Sequence, residues 1–382
     1  MRQELPLRPL LALAVVVLLG CLTEVLPAGL LLGISADFDV SPSAAGQLVT
    51  CYALTTALTA IPLTALTSRL PRKSVLLALV LGFAVTNFVI ALSPWYAVVF
   101  AARVASGAIT GVMWSLVAVY AMAVAPPARA GRALAVAMAG TPLGFAVGVP
   151  AGTVLGELVG WRWSFVVMGV VAVPLLAWVA AVVPPIPVTA STGDRRGVPG
   201  MWPVFVVVAA FSLGHNVLYT YLGPVLAGFG RAGLLGATLL VFGGAAVCGI
   251  LVVGAALDRF PRAVLAWCPA LTAVGIAVLA CSDGSPAVVV AAAALWGLAF
   301  GGAPTAFQAV TAVVAGRTAD HAQSLTIAAW NGAVAGGAAL GGVVLDHAAP
   351  ALPWTAAALM LVPLVTSAVV PLPRRHTAPV GS

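Results

Sequence analysis

Thr64-Ala65-Leu66-Thr67-Ser68-Arg69-Leu70-Pro71-Arg72-Lys73 returns in the second half of the chain as Gly254-Ala255-Ala256-Leu257-Asp258-Arg259-Phe260-Pro261-Arg262-Ala263. Each copy leaves an apolar run, turns with a basic residue on either side of a proline, and enters another apolar run. The spacing is close to half of the 382 residues, so the repeat divides the chain into two equal halves. A duplicated unit whose halves face each other is the expected architecture.

Composition decides the solvent. Soluble domains are about a quarter charged, whereas 7% of this chain is charged and 62% is hydrophobic, with a mean hydropathy of +1.13. A water-facing surface cannot be built from that, so the chain belongs in lipid. Backbone in lipid must satisfy its own hydrogen bonds, which leaves helices or a closed barrel. Barrel strands would alternate over roughly 10 residues; the unbroken apolar runs here predict helices. The five cysteines (Cys21, Cys51, Cys248, Cys268, Cys281) lie inside apolar runs without metal-ligand spacing, so neither a disulfide framework nor a metal site is expected.

Twelve apolar segments follow, near 8–33, 44–66, 74–93, 96–125, 133–157, 163–183, 201–226, 233–257, 263–281, 287–314, 324–346 and 353–371. The first is too long for a signal-peptide core and reads as a retained span. With a cytoplasmic N-terminus, fourteen Lys and Arg fall on the inner side and only Arg162 and Arg231 on the outer side. That bias orients the chain with both termini inside. The expectation is an all-α membrane protein of twelve transmembrane helices in a 6+6 pseudo-symmetric arrangement. Residues 1–183 form one six-helix bundle, 184–200 a flexible cytoplasmic linker rich in Pro, Ser, Thr and Gly, 201–371 the second bundle, and 372–382 a cytoplasmic tail. The net charge of +7 is thereby a topology signal, and no nucleic-acid partner is expected.

Several motifs resemble the major facilitator superfamily. The loops after the second and eighth spans are similar to its Gly-x-x-x-Asp-Arg-x-Gly-Arg-Arg/Lys signature. The second copy keeps Gly254, Asp258 and Arg259, while the first has Thr64 and Ser68 at the Gly and Asp positions, and Pro71 and Pro261 replace the later Gly. Thr23-Glu24-Val25-Leu26-Pro27 in span 1, Ala45-Gly46-Gln47-Leu48 in span 2, and Arg103-x-x-x-Gly107-x-x-x-Gly111 in span 4 resemble the drug:proton antiporter branch. So do Gly148-Val149-Pro150-Ala151-Gly152 in span 5, Thr220-Tyr221-Leu222-Gly223-Pro224 in span 7 and Trp330-Asn331-Gly332 in span 11. Within that branch the likeness is to bacterial sugar-efflux and arabinose-efflux-like exporters. It implies a monomeric exporter of the bacterial inner membrane that moves a small molecule by proton antiport, with the proton gradient in place of a cofactor.

Glu24 is the sharpest chemical signal. A charge at a helix centre costs roughly 2.5–3.5 kcal/mol on insertion scales, and intramembrane ionisable groups are functional by default. Desolvation disfavours the anion, so such a carboxyl can take up a proton in one facing state and release it in the other. The bland alternative is a packed, protonated glutamate. Arg103 is the one basic residue well inside a span; it cannot be neutralised and needs a carboxylate, carbonyls or water. The resemblance implies a proton-coupling role for it, against the alternative of snorkelling to the interface.

Gln47, Tyr52, His215, Asn216, Tyr219, Gln308 and Asn331 are candidate cavity groups among apolar walls, or else interhelical hydrogen-bonding groups. His215 and Tyr219 share a helix face. Gly140, Gly144, Gly148, Gly152 and Gly156 recur every four residues, which predicts close helix packing, with Pro142 and Pro150 favouring a kink. The resemblance adds a conformational seal at Gly148, Pro150 and Gly152. Ser68, Arg69, Arg72, Lys73, Gly254, Asp258, Arg259 and Arg262 are expected to set topology and to brace the inward-closed state by hydrogen bonds to helix ends. Glu157 and Asp346 read as solvated helix ends. No Gly-x-x-x-x-Gly-Lys-Ser/Thr loop is present, and neither an interfacial His or carboxylate cluster nor an appended soluble domain argues for an enzyme or a sensor.

Overall fold

The computed structural model describes residues 5–126, 129–187, 200–257 and 259–372. Its elements are helical: α1 (Leu7–Gly29), α2 (Leu31–Phe38), α3 (Pro42–Thr67), α4 (Arg72–Leu92), α5 (Tyr96–Val124), α6 (Ala130–Met138), α7 (Gly140–Leu143), α8 (Val149–Val159) and α9 (Trp161–Val182) before the connector. After it come α10 (Trp202–Tyr219), α11 (Leu222–Gly228), α12 (Leu235–Ala256), α13 (Pro261–Ala280), α14 (Pro286–Ala315), α15 (Ala319–Ala348), α16 (Leu352–Leu359) and α17 (Leu361–Ser367). Among the described residues, eleven helical stretches are long and apolar enough to cross a membrane. This is one fewer than the sequence reading, and the difference lies in the last, His321–Ser367, which runs 47 residues. At 1.5 Å per residue it would reach about 70 Å, more than twice a bilayer core. It breaks instead at the 3₁₀ turn Ala349–Ala351, and α16 and α17 fold back onto α10 and α13.

The glycine ladder has a clear structural cause. Gly140 abuts the Ala14 carbonyl, Gly144 the Cys21 sulfur, Gly148 Leu22, Gly152 Leu26 and Gly156 Leu30. The stripe thus lies along α1, climbing it in step, as small residues every four positions allow. Pro150 has no N–H to give the carbonyl four residues back, and the chain answers with a π-helical turn at Gly144–Gly148, where the Val149 amide bonds the Gly144 carbonyl. That is an identifiable kink.

The internal repeat extends to individual contacts. A Cβ on Gly107 would collide with the Tyr52 carbonyl, and one on Gly111 would press on the α3 backbone at Thr56 and Ala60 at 3.1 Å. At the equivalent places in the second half, Gly297 meets the Phe242 carbonyl and Gly301 the Ala246 carbonyl. The α3–α5 pair and the α12–α14 pair are therefore built to one plan. These contacts are to backbone, which cannot rotate aside, whereas Gly148 and Gly152 face leucine side chains that can. Gly301→Ala is expected to lower thermal stability by about 2 kcal/mol or more, Gly152→Ala by clearly less; unfolding of the purified variants measures both.

Among the described residues, the halves pack together from the end opposite the basic turns to about the middle of the helices. Ser43 donates to Asp346 at 2.6 Å, Gly46 lies against the Tyr221 ring, Gly236 against Val154 and Gly243 against Phe145. Nine residues of α3 from Ser43 to Thr56 are buried, yet none from Ala57 to Thr67. The molecule is sealed away from the basic turns and splayed toward them. In keeping with that opening, the basic residues cap helix ends within their own half: Lys73 donates to the Ala180 carbonyl at 2.7 Å, and Arg262 to that of Leu372 at 2.9 Å. Arg69 and Arg259 are exposed, Gly254 has open space around it, Ser68 closes the end of α3 by donating to the Ala65 carbonyl, and Arg72 is buried at the start of α4. Asp258 lies outside the described residues.

Candidate functional site

Pro27 sits inside α1 and has no N–H, so the carbonyl of Thr23 is left without its intrahelical donor. Arg103, on α5, supplies one: its guanidinium bonds the Thr23 carbonyl, the Glu24 carbonyl at 3.0 Å and the Leu48 carbonyl at 2.9 Å. The side chain is fully buried and its Cζ lies 4.2 Å from the centre of the Tyr52 ring. A cation held by three carbonyls and an aromatic face does not snorkel. It fastens α5 to α1 at the point where proline has opened the ladder.

Behind this joint lies a buried polar layer drawn from four helices. Tyr52 is itself fully buried and bonded to Thr110, so it supports Arg103 rather than lining a cavity. Asn87 donates to the Thr23 hydroxyl at 3.1 Å and to the Phe83 carbonyl at 2.8 Å. The layer fixes the backbone of Glu24 and leaves its side chain free. The Arg103 guanidinium takes the carbonyl of Glu24, not its carboxylate, which among the described residues makes neither a hydrogen bond nor an ion pair.

The partly buried Glu24 side chain faces a cavity of about 40 Å³ lined also by Phe145, His215, Asn216, Tyr219, Phe300 and Trp330. Both halves contribute to it. Its far wall is aromatic: the His215 ring stacks on Phe300 with centroids 3.9 Å apart and on Tyr219 at 4.9 Å. Trp296 Nε1 donates to His215 Nδ1 at 3.1 Å. An indole N–H can only donate, so Nδ1 carries no proton and the imidazole is held in its Nε2–H form. Asn216 is anchored on the Ser212 carbonyl at 2.8 Å, and the buried Thr220 hydroxyl has no protein partner among the described residues. So small a space holds a water or two as it stands.

Of the candidates named from sequence, Glu24, His215, Asn216 and Tyr219 converge on the cavity. Gln47 is partly buried on α3, Gln308 is exposed and receives Gln323 on its carbonyl, and Asn331 bonds the Ile327 carbonyl of its own helix; none of the three lines this cavity. Phe145 and Phe300 escape a sequence reading, because an aromatic in an apolar run looks like packing, while Thr220 and Trp330 enter it only as members of the span 7 and span 11 motifs. Pro27, four residues after Thr23, is the available signal for where Arg103 goes. The second half has Gly214 and Ala293 at the positions repeating Glu24 and Arg103, so the acid and its supporting base occur in the first half alone.

The comparisons with known proteins agree with this architecture. The Major Facilitator Superfamily profile matches residues 12–250. The chain is similar to the transcription regulatory protein OpdE of Pseudomonas aeruginosa, 31% identical over 97% of this chain and 94% of that one. It is also similar to a probable sugar efflux transporter of Mannheimia succiniciproducens, 26% identical over 85% and 84%. Among solved structures it shares the fold of a D-xylose-proton symporter, with a TM-score of 0.77 at 16% identity, over 97% of this chain and 98% of that one. The chain is a multi-pass membrane protein and belongs to the Major Facilitator Superfamily.

Proposed function

We propose that this transporter exports a small organic solute, a sugar, drug or related metabolite, in exchange for protons by alternating access. The observation that carries the reading is the Glu24 carboxylate: without a hydrogen-bond or ion-pair partner among the described residues, in a cavity shared by both halves, on a backbone that Arg103 clamps in place. The solute would enter from the splayed side and widen that cavity against its aromatic wall, so that proton and solute compete there and favour opposite-facing states, since a ligand shifts an equilibrium only by its differential affinity. Glu24 is the proton carrier in this scheme. Arg103 acts on it through the α1 backbone, and the aromatic wall with His215, Asn216 and Tyr219 receives the solute. The relative named as a sugar efflux transporter supports export and a sugar-like cargo.

The same proposal places twelve spans in two six-helix bundles, residues 1–183 and 201–371, joined by a cytoplasmic linker. The fold-back of α16 and α17 onto α10 and α13 supports a twelfth crossing, and the arginine-rich turns support cytoplasmic termini in a bacterial inner membrane. The protein works as a monomer with no cofactor and no nucleic-acid partner. OpdE carries a regulatory name, but the 17-residue connector at 184–200 is too short to fold a DNA-binding domain, which favours transport here. The alternative within the fold is an uncoupled facilitator or importer. A solute screen on the protein in liposomes separates them: an imposed pH gradient should drive accumulation of the cargo about tenfold above the level at equal pH, by about one pH unit of driving force. Equal fluxes with and without the gradient would establish the uncoupled reading.

A further inference from the structure

We propose that Glu157 and Asp346 form a paired latch that holds the end of the molecule opposite the basic turns shut. The two acids stand half a chain apart, at the same point of the duplicated unit, each near the end of the helix that carries its half's small-residue stripe. Each crosses to the other half and meets the first turn of a helix there. Asp346 accepts from the buried Ser43 Oγ at 2.6 Å, in the first turn of α3, whose cap Ser41 bonds the Ala44 amide. The Glu157 carboxylate faces the backbone amide of Gly236, the second residue of α12; a Cβ there would lie 3.4 Å from its Oε2.

A carboxylate against the first turn of a helix sits at the positive end of its dipole, and Asp346 gains the Ser43 hydroxyl as a donor besides. Close packing makes the contact possible. Gly46 leaves room for the Tyr221 ring, Gly342 approaches both Tyr221 and Ser43, and Tyr221 donates to the Ala338 carbonyl at 2.8 Å. Opening this end requires both acids to leave their opposite helices. The latch therefore sets the balance between the two facing states, one acid for each half, and it lies away from the Glu24 cavity. The inference rests on the alternating-access reading but not on proton coupling or on any particular solute.

The test uses the full chain, cysteine-free except for one reporter, in oriented membranes. V49C reports the closed end, because Val49 is buried and lines the cavity beneath the seal. V247C reports the open end, one turn beyond Gly243 on the helix face that Gly243 turns toward Phe145. D346A and E157A are each expected to raise maleimide labelling of V49C, applied from the latch side, by about threefold, and together by about tenfold. S43A should reproduce the D346A effect and add nothing to it. Labelling of V247C from the other side should fall in parallel, which distinguishes a population shift from local unfolding, since unfolding raises both. Unchanged V49C labelling in the double variant, or a rise at both reporters, overturns the latch.

Discussion

Glu24→Gln is expected to fold, insert and bind solute, and to lose proton-driven accumulation by about two orders of magnitude, because the proton no longer distinguishes the two facing states. Gln is nearly isosteric with protonated Glu, and no hydrogen bond or ion pair to the carboxylate is lost among the described residues. Solute exchange without a gradient, which needs no change of protonation, should persist near the wild-type rate. The sign of the pH response follows. Acid on the side to which the cavity opens competes with solute in the wild type and has no such effect in Glu24→Gln. Counterflow and gradient-driven uptake in the same vesicles measure the two arms. Loss of both would make Glu24 a binding or folding residue, and retention of both would remove it from coupling.

Arg103→Ala should be the most destructive single change. It withdraws the donors from three backbone carbonyls and empties a volume over the Tyr52 ring, far from water. Charged hydrogen bonds in water-soluble proteins are worth about 1.5–3 kcal/mol each, and those between membrane helices less. A total of about 2–4 kcal/mol is expected from these values, enough to lower the thermal midpoint visibly and the yield of monodisperse protein with it. Arg103→Lys keeps the charge but presents one ammonium in place of a planar fork. It should recover part of the stability while leaving transport impaired, because one planar fork no longer holds the Thr23 and Glu24 carbonyls together. A fully active Arg103→Lys protein would show that charge alone suffices there.

The architecture was legible because lipid imposes it. Apolar runs of span length, a basic turn that recurs half a chain later and the excess of arginine in alternate loops each constrain the fold independently. The matched glycines deepen that symmetry: Gly107 and Gly297, and Gly111 and Gly301, occupy equivalent notches. The count of spans is less direct: His321–Ser367 is continuous in hydropathy, but the helix breaks at the Ala349–Ala351 turn, in the gap the sequence reading left between 346 and 353, and again at Met360.

The site was legible by half. Charge inside an apolar run is conspicuous, so Glu24 and Arg103 stand out, and the shared helix face of His215 and Tyr219 carries them to one wall. Which polar groups face a cavity and which serve their own helix depends on rotation about the helix axis, and helices this uniformly apolar encode that rotation weakly. Asn331 spends its amide on Ile327 and Tyr52 its hydroxyl on Thr110 for that reason. Spacing alone makes Glu157 and Asp346 solvated ends. They are exposed, yet each faces the opposite half, a relation between distant segments that spacing along the chain cannot express.

Proton release on solute binding probes the role of Glu24 without any membrane. Purified protein in weakly buffered detergent solution, mixed with the solute selected in liposomes, should release close to one proton per transporter at a pH where Glu24 is protonated, and Glu24→Gln should bind the same solute and release none. Equal proton release from the two proteins would contradict the account.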